Sequence, residues 1–291
     1  MQRSLVLVFF YLLSATSFAQ HSDEKVESEA EQWRSLLDSS LSQWDSYLSY
    51  RFKPGYDGAK PPEAPVGFNQ PAAAQVFSVS VVDGEPVLRV SGEIYGALIS
   101  KRSYRNYHLK VQVQWGQKKW PARADLLRDT GILYHSIGPY GADHWRSWML
   151  SQELQIMEGH IGDYWSQATS AMDIRAFPPE YIMNPVASLE QPFLSVGYEQ
   201  AIKGFVLRRE NRESQQGWTD VELICYEGQS LHIVNGEVVM VLRNSRYKEG
   251  SEFLPLREGK IQLQSEAAEV FFRQIQVREL NSLPVAYERL F

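Results

Sequence analysis

The chain has 291 residues, 44% of them hydrophobic, 12% aromatic and 22% charged, with a formal net charge of −6. That acidic balance, with a pI near 5.6 and no basic run longer than two or three residues, excludes nucleic acid as the expected partner. The single cysteine, Cys225, excludes an intramolecular disulfide, so stability must come from an ordinary hydrophobic core.

Residues 1–19 read as a secretory signal. Arg3 gives the positive start, Leu5 to Leu13 the apolar stretch, and Ser17 and Ala19 the small residues before a cleavage site. The apolar stretch is about half the ~20 residues of a membrane span, and no comparable run follows, so export without a membrane span is predicted, to a periplasmic or extracellular location. Cys225 lies far from the cleavage site, which argues against a lipid-modified N-terminus. Loss of Arg3 with the signal lowers the net charge from −6 to −7. Residues 20–30 are polar and acidic and read as a flexible mature N-terminus. Residues 31–291 are expected to form a single β-sandwich catalytic domain, a length that all-β units reach.

Trp33, Leu37, Leu41, Trp44 and Leu48 recur at spacings of three and four, which predicts a short amphipathic helix. Prolines 54, 61, 62, 65 and 71 then mark an extended loop. From Gln75 the period changes to two. Val76–Val81 and Val87–Val90 flank Asp83-Gly84, a hairpin signal. Tyr107–Trp115 alternates, with Leu109, Val111 and Val113 on one face and His108, Lys110 and Gln112 on the other. Further strands are predicted at Gly131–Ile137, Ser151–Met157, Phe193–Tyr198, Gly204–Arg209, Asp220–Tyr226, Leu231–Val234, Val238–Leu242, Lys260–Gln264 and Val270–Arg278. Asn235-Gly236 is a second strong hairpin turn, and Arg208 to Glu213 reads as a solvated loop of mixed charge. Many short strands with regular turn signals and no repeat predict an all-β, two-sheet antiparallel jelly-roll sandwich of the concanavalin-like lectin and glucanase type. The alternating setting of Cys225 predicts a buried, unreactive thiol.

Glu153-Leu154-Gln155-Ile156-Met157-Glu158 carries the chemistry. In an extended chain Leu154 and Ile156 face a core while Glu153 and Gln155 share the opposite face. Two carboxylates suit glycosidic cleavage, but Glu153 and Glu158 share a face only if a β-bulge intervenes. His135 shares a face with Leu133 and Ile137 in a plain strand and is either a core histidine or a proton shuttle. His160 and Asp163 follow in a Gly-bounded loop, and His144 and Trp145 in the preceding loop are placed to wall the same cleft. No metal-binding spacing, nucleophile elbow, phosphate loop or dinucleotide fingerprint is present, and no cofactor is expected. Eight Trp and fifteen Tyr favour a sugar ligand.

In this order, several short runs resemble the secreted bacterial 3-keto-disaccharide hydrolase domain family. They are Trp33-Arg34-Ser35-Leu36-Leu37…Trp44; Asp83-Gly84…Gly96-Ala97-Leu98-Ile99-Ser100-Lys101; and Tyr104…Tyr107-His108-Leu109. They continue through Thr130-Gly131-Ile132-Leu133-Tyr134-His135 and Glu153-Leu154-Gln155-Ile156. Trp218, Asn235-Gly236, Gly259-Lys260-Ile261-Gln262-Leu263-Gln264 and Phe271-Phe272-Arg273-Gln274-Ile275 complete the series. Ser100 stands where the family's usual Thr is expected, and the segment from Lys118 to Arg128 is longer than the resemblance predicts.

The resemblance implies a jelly-roll enzyme that cleaves glycosides already oxidised to a ketone at C3, by β-elimination followed by hydration. Glu153 or His135 would then abstract the C2 proton, and Glu158, His160 or Asp163 would protonate the leaving group. Gln155, Gln264 and Arg273 would bind hydroxyls or the enolate oxygen, with Trp145 in the binding wall. Two alternatives stay open. One is a laminarinase-like retaining glycosidase, although Gln155 stands where that strand carries Asp; the other is a non-catalytic lectin-like sugar binder. A monomer or small homo-oligomer is expected.

Overall fold

The structure is a computed structural model that describes residues 32–51, 64–143, 146–180 and 184–291. The predicted signal segment, the flexible start, His144 and Trp145 lie outside the described residues.

The strands run in chain order as β1 (Arg34–Ser35), β2 (Trp44–Leu48), β3 (Gly67–Phe68), β4 (Phe77–Val82), β5 (Glu85–Val90), β6 (Gly96–Ser100) and β7 (Tyr107–Lys119). Next come β8 (Asp129–Ile137), β9 (Leu150–Met157), β10 (Tyr164–Gln167), β11 (Ser170–Phe177), β12 (Val186–Ala187), β13 (Phe193–Gly197) and β14 (Phe205–Val206). The last six are β15 (Thr219–Tyr226), β16 (Gln229–Val234), β17 (Glu237–Glu249), β18 (Glu252–Pro255), β19 (Lys260–Ser265) and β20 (Ala268–Glu279). A 12-stranded sheet has the order β12-β11-β17-β16-β15-β7-β20-β5-β4, with β1, β13 and β18 paired at its sides. An 8-stranded sheet has the order β14-β10-β9-β8-β19-β6-β2-β3. The strand pairs are antiparallel, as expected, and the neighbours β7–β20 and β8–β19 are far apart in sequence.

Period-two patterning explains how the sheets meet. Leu98, Ile132, Leu154, Ile156, Ile261 and Leu263 of the smaller sheet share one core with Leu88, Leu109, Val111, Val221, Leu223 and Phe272 of the larger. Cys225 is buried in that core as a free thiol, and burial pushes its pKa up to about 12. Asp83-Gly84 and Asn235-Gly236 both have positive φ, the geometry of two-residue turns whose twist matches the flanking strands.

The amphipathic helix expected over residues 33–48 does not form. Its residues make β1, a turn and β2, which pairs with β6 from Trp44↔Ser100 to Leu48↔Gly96. The Asp38 carboxylate accepts hydrogen bonds from the Ser40 and Ser42 backbone N–H groups at 2.8 and 3.2 Å, and from both hydroxyls. Such local bonds compete with a helical backbone. Leu37, Trp44 and Leu48 still reach the core, but from strand and turn.

The outer face of the smaller sheet is partly roofed. Trp120, Ala122, Tyr140, Trp148 and Met149 pack over Tyr47, Ala97, Ile99 and Leu133 in a separate apolar cluster. What remains open beside this roof is a polar cleft.

Candidate active site

β9 splits its side chains as its alternation requires. Leu154 and Ile156 enter the core, while Glu153 and Gln155 line a cleft of about 250 Å³ on the outer face. Its other described lining residues are Arg123, Asp129, Asp143, Trp148, Trp165, Ser166, Gln167, Gln264 and Glu266. Asp129 opens β8, Gln264 sits on β19, and Glu266 directly follows it. Gly131 pairs with Gln155 across β8 and β9. A Cβ at Gly131 would overlap the carboxyl oxygen Oε1 of Glu153 and the amide oxygen of Gln264, so the missing side chain is what lets both groups lie over β8.

Charge is crowded here. Arg123, in a single 3-10 turn (Pro121–Arg123), pairs through Nη2 with Asp129 and, at 3.0 Å, with Glu266. Gln155 Nε2 donates to Asp129 Oδ1 at 2.8 Å, and Gln167 Nε2 donates to Glu153 Oε2. Glu153 is 2% exposed. Burial, reinforced by the Glu266 charge, pushes its pKa up to about 8, against hydrogen bonds from Gln167 and Gln264 that pull it down. Burial and Glu266 also push Asp129 well above the ordinary carboxylate range, against the pull of Arg123. Like charges crowded in a low-dielectric pocket disfavour full ionisation, which favours the protonated form of Glu153 near neutral pH.

Two further features suit a sugar. Trp165 faces Glu153 across β9 and β10, is 40% exposed, and is backed by Phe205 with ring centroids 4.5 Å apart. The amide oxygens of Gln155 and Gln264 are buried without a hydrogen-bond partner and so are open to hydroxyl donors. Among the described residues, no group of three or more His, Cys, Asp or Glu side chains is arranged to hold a metal ion.

The remaining expected site residues are dispersed. β8 and β9 stay in register from Asp129↔Met157 to Tyr134↔Gln152, so no bulge brings Glu158 beside Glu153. Glu158 pairs instead with Arg128 at 2.8 Å and lines a separate groove with Trp115 and Glu213. His135 leaves the face of Leu133. Its φ of 52° and the register shift between Tyr134 and Ile137 turn its ring towards Tyr107 and Tyr134. There it is fully buried, Nε2 lies 3.3 Å from the Arg105 carbonyl, and burial lowers its pKa to about 4. His160 Nδ1 lies 3.1 Å from Asp163 Oδ2, and Asp163 also accepts the Arg208 backbone N–H at 2.7 Å. This trio stands outside the cleft, and Arg208 is mostly buried, not solvated as its charged surroundings predicted. Arg273 lies over the Trp218 ring at 4.3 Å on the larger sheet and donates to Gln112. Of the expected residues, Glu153, Gln155 and Gln264 meet in one place.

Sequence reading missed Asp129, Asp143, Arg123, Glu266, Trp165 and Gln167. Glu266 was within reach, because it continues the polar alternation Gln262, Gln264 opposite Ile261 and Leu263. Asp129 likewise alternates with Gly131 and Leu133. Arg123 carries no periodic signal; it belongs to the long 118–128 segment.

A family model described as the 3-keto-alpha-glucoside-1,2-lyase-like domain matches residues 32–278. No curated protein matches the chain. Among solved structures, a candidate glycosyl hydrolase from Parabacteroides distasonis is similar at 17% identity and TM-score 0.45, covering 86% of this chain and 100% of its own. The carbohydrate-binding module CBM66 of Bacillus subtilis is similar at 8% identity and TM-score 0.38, with 70% and 92% covered. LamAcat of Zobellia galactanivorans is similar at 9% identity and TM-score 0.37, with 81% and 90% covered.

Proposed function

The chain belongs to the 3-keto-alpha-glucoside-1,2-lyase-like domain family, and from that premise we propose that its cleft cleaves 3-keto-glycosides by elimination and hydration. The observation that carries this reading is a buried acid, Glu153, whose pKa burial raises to about 8, beside Asp129 and Glu266, two carboxyl groups held by Arg123.

A C3 ketone acidifies the proton on C2, so a carboxylate can serve as the base. Glu266, held by Arg123, takes the C2 proton; the electron pair forms the C1=C2 bond and the C1–O bond breaks. Glu153 gives its proton to the departing oxygen, which suits a carboxylic acid that stays protonated at neutral pH. Water then adds at C1. Glu153, now a carboxylate, takes a proton from that water, and Glu266, after exchanging its proton with solvent, delivers a solvent-derived proton to C2. In this reading Glu153 is the acid of the first step and not its base. Trp165 offers its exposed ring to a sugar face, and the free oxygens of Gln155 and Gln264 accept hydroxyls. In this reading the protein is an exported enzyme whose β-sandwich forms one catalytic unit.

The test uses a nitrophenyl 3-keto-glucoside and its unoxidised parent with the purified protein. The keto compound should release nitrophenol, and the parent should not. Equal release from both would point to an ordinary glycosidase, and binding of both without release to a lectin.

A further inference from the structure

We propose that the cleft selects its sugar by charge, favouring rings that bear hydroxyl or ammonium groups and rejecting rings that bear a carboxylate or sulfate. This rests on reading the cleft as the substrate site.

Four carboxyl groups line the cleft, those of Asp129, Asp143, Glu153 and Glu266, and the only cationic side chain among the described lining residues is Arg123. That guanidinium is already shared by two of them, Asp129 and Glu266. A site built for a uronate or a sulfated sugar needs a cation free to meet the anion, and Arg123 can do so only by releasing a carboxylate into a buried setting. The amides add to the same bias. Gln155 and Gln167 each turn one N–H to a carboxyl group, of Asp129 and Glu153 respectively. The oxygens of Gln155 and Gln264 are buried and unpartnered. Unpaired acceptors therefore line the cleft, while the one cation among its described lining residues is already paired. A hydroxyl or an ammonium supplies the missing donor, whereas a carboxylate supplies only more acceptors.

Geometry makes the bias hard to escape. The cleft holds about 250 Å³, and four of its eleven described lining residues carry carboxyl groups. Repulsion between like charges there is weakly screened, because Asp129, Glu153 and Glu266 are buried. Retention of a proton by Glu153 softens the negative field without reversing it.

Three 3-keto-glycosides of one anomer and one leaving group, differing only at C6, test the idea: the glucoside, the glucuronide and the 6-amino-6-deoxyglucoside. Affinity is measured by calorimetry on Glu153→Gln, which keeps the shape of the acid, and kcat/KM is measured on the wild-type protein. The amino sugar should bind at least as well as the glucoside, and the glucuronide about tenfold or more weaker, with the same order in kcat/KM. Removal of one negative charge by Glu266→Gln should narrow the gap in affinity. A glucuronide that binds as well as the glucoside overturns the proposal, as does failure of all three to bind. Ordered binding with no cleavage keeps the charge selection and overturns the proposed reaction instead.

Discussion

Glu153 is a carboxyl group among carboxyl groups, and the company it keeps determines its chemistry. Its folded pKa of about 8 lies above the ordinary 4.5, so the native state holds a proton that the unfolded chain releases. The stability carried by that proton is complete below pH 4.5 and is lost as pH rises through about 8. Glu153→Gln has no such proton to lose. Thermal melts of both proteins from pH 4.5 to 8.5 should show the variant gaining on the wild type as pH rises, and parallel curves would contradict the assignment. The same substitution should lower kcat by about 10²–10⁴-fold while binding persists, and wild-type activity should fall as pH passes about 8. Gly131 tests the cleft without removing a polar group. Gly131→Ala forces Glu153 and Gln264 aside, so kcat should fall about 10²-fold, as displacement of reacting groups by an ångström does, with a small change in melting temperature. A melting temperature that collapses would make Gly131 structural.

Strand β9 shows which parts of the element pattern are readable. Its alternation alone separates Glu153 and Gln155 from Leu154 and Ile156, because in a sandwich one face must be dry. Leu154→Ala should therefore cost about 2–5 kcal/mol, measured by denaturant unfolding, through the cavity it leaves in the shared core. A cost near zero would mean that the two faces are reversed. The turns Asp83-Gly84 and Asn235-Gly236 are legible for a similar reason, since few residue pairs accept positive φ twice. Residues 33–48 misled. Apolar spacings of three and four suit a helix, but the Asp38 turn and the open edge of β6 offered the backbone other partners. His135 misled at smaller scale, because a local irregularity in β8 turned one ring out of the alternation. Period two carries no warning of such a kink.

At the scale of the whole molecule, the all-β sandwich follows from patterning, but the cleft does not. Its parts come from β8, β9, β10, β19 and the segments around Arg123 and Asp143, which the sheet order brings together across more than 140 residues. Long-range pairing of this kind leaves no mark in local spacing. Glu153 was found because its own strand is informative. Its partners Asp129, Glu266 and Arg123 emerge only when β19 lies beside β8. The two-carboxylate strand of a retaining glycosidase loses its support at this scale, because Glu158 turns to Arg128 and another groove. Elimination at C2 followed by hydration leaves an isotopic trace. Cleavage of a 3-keto-glucoside in D₂O, followed by NMR against an enzyme-free control of the product, reads that trace. One solvent deuteron is expected at C2 of the released 3-keto-glucose, delivered as fast as the leaving group departs. Release of a product that retains its original C2 proton would contradict it.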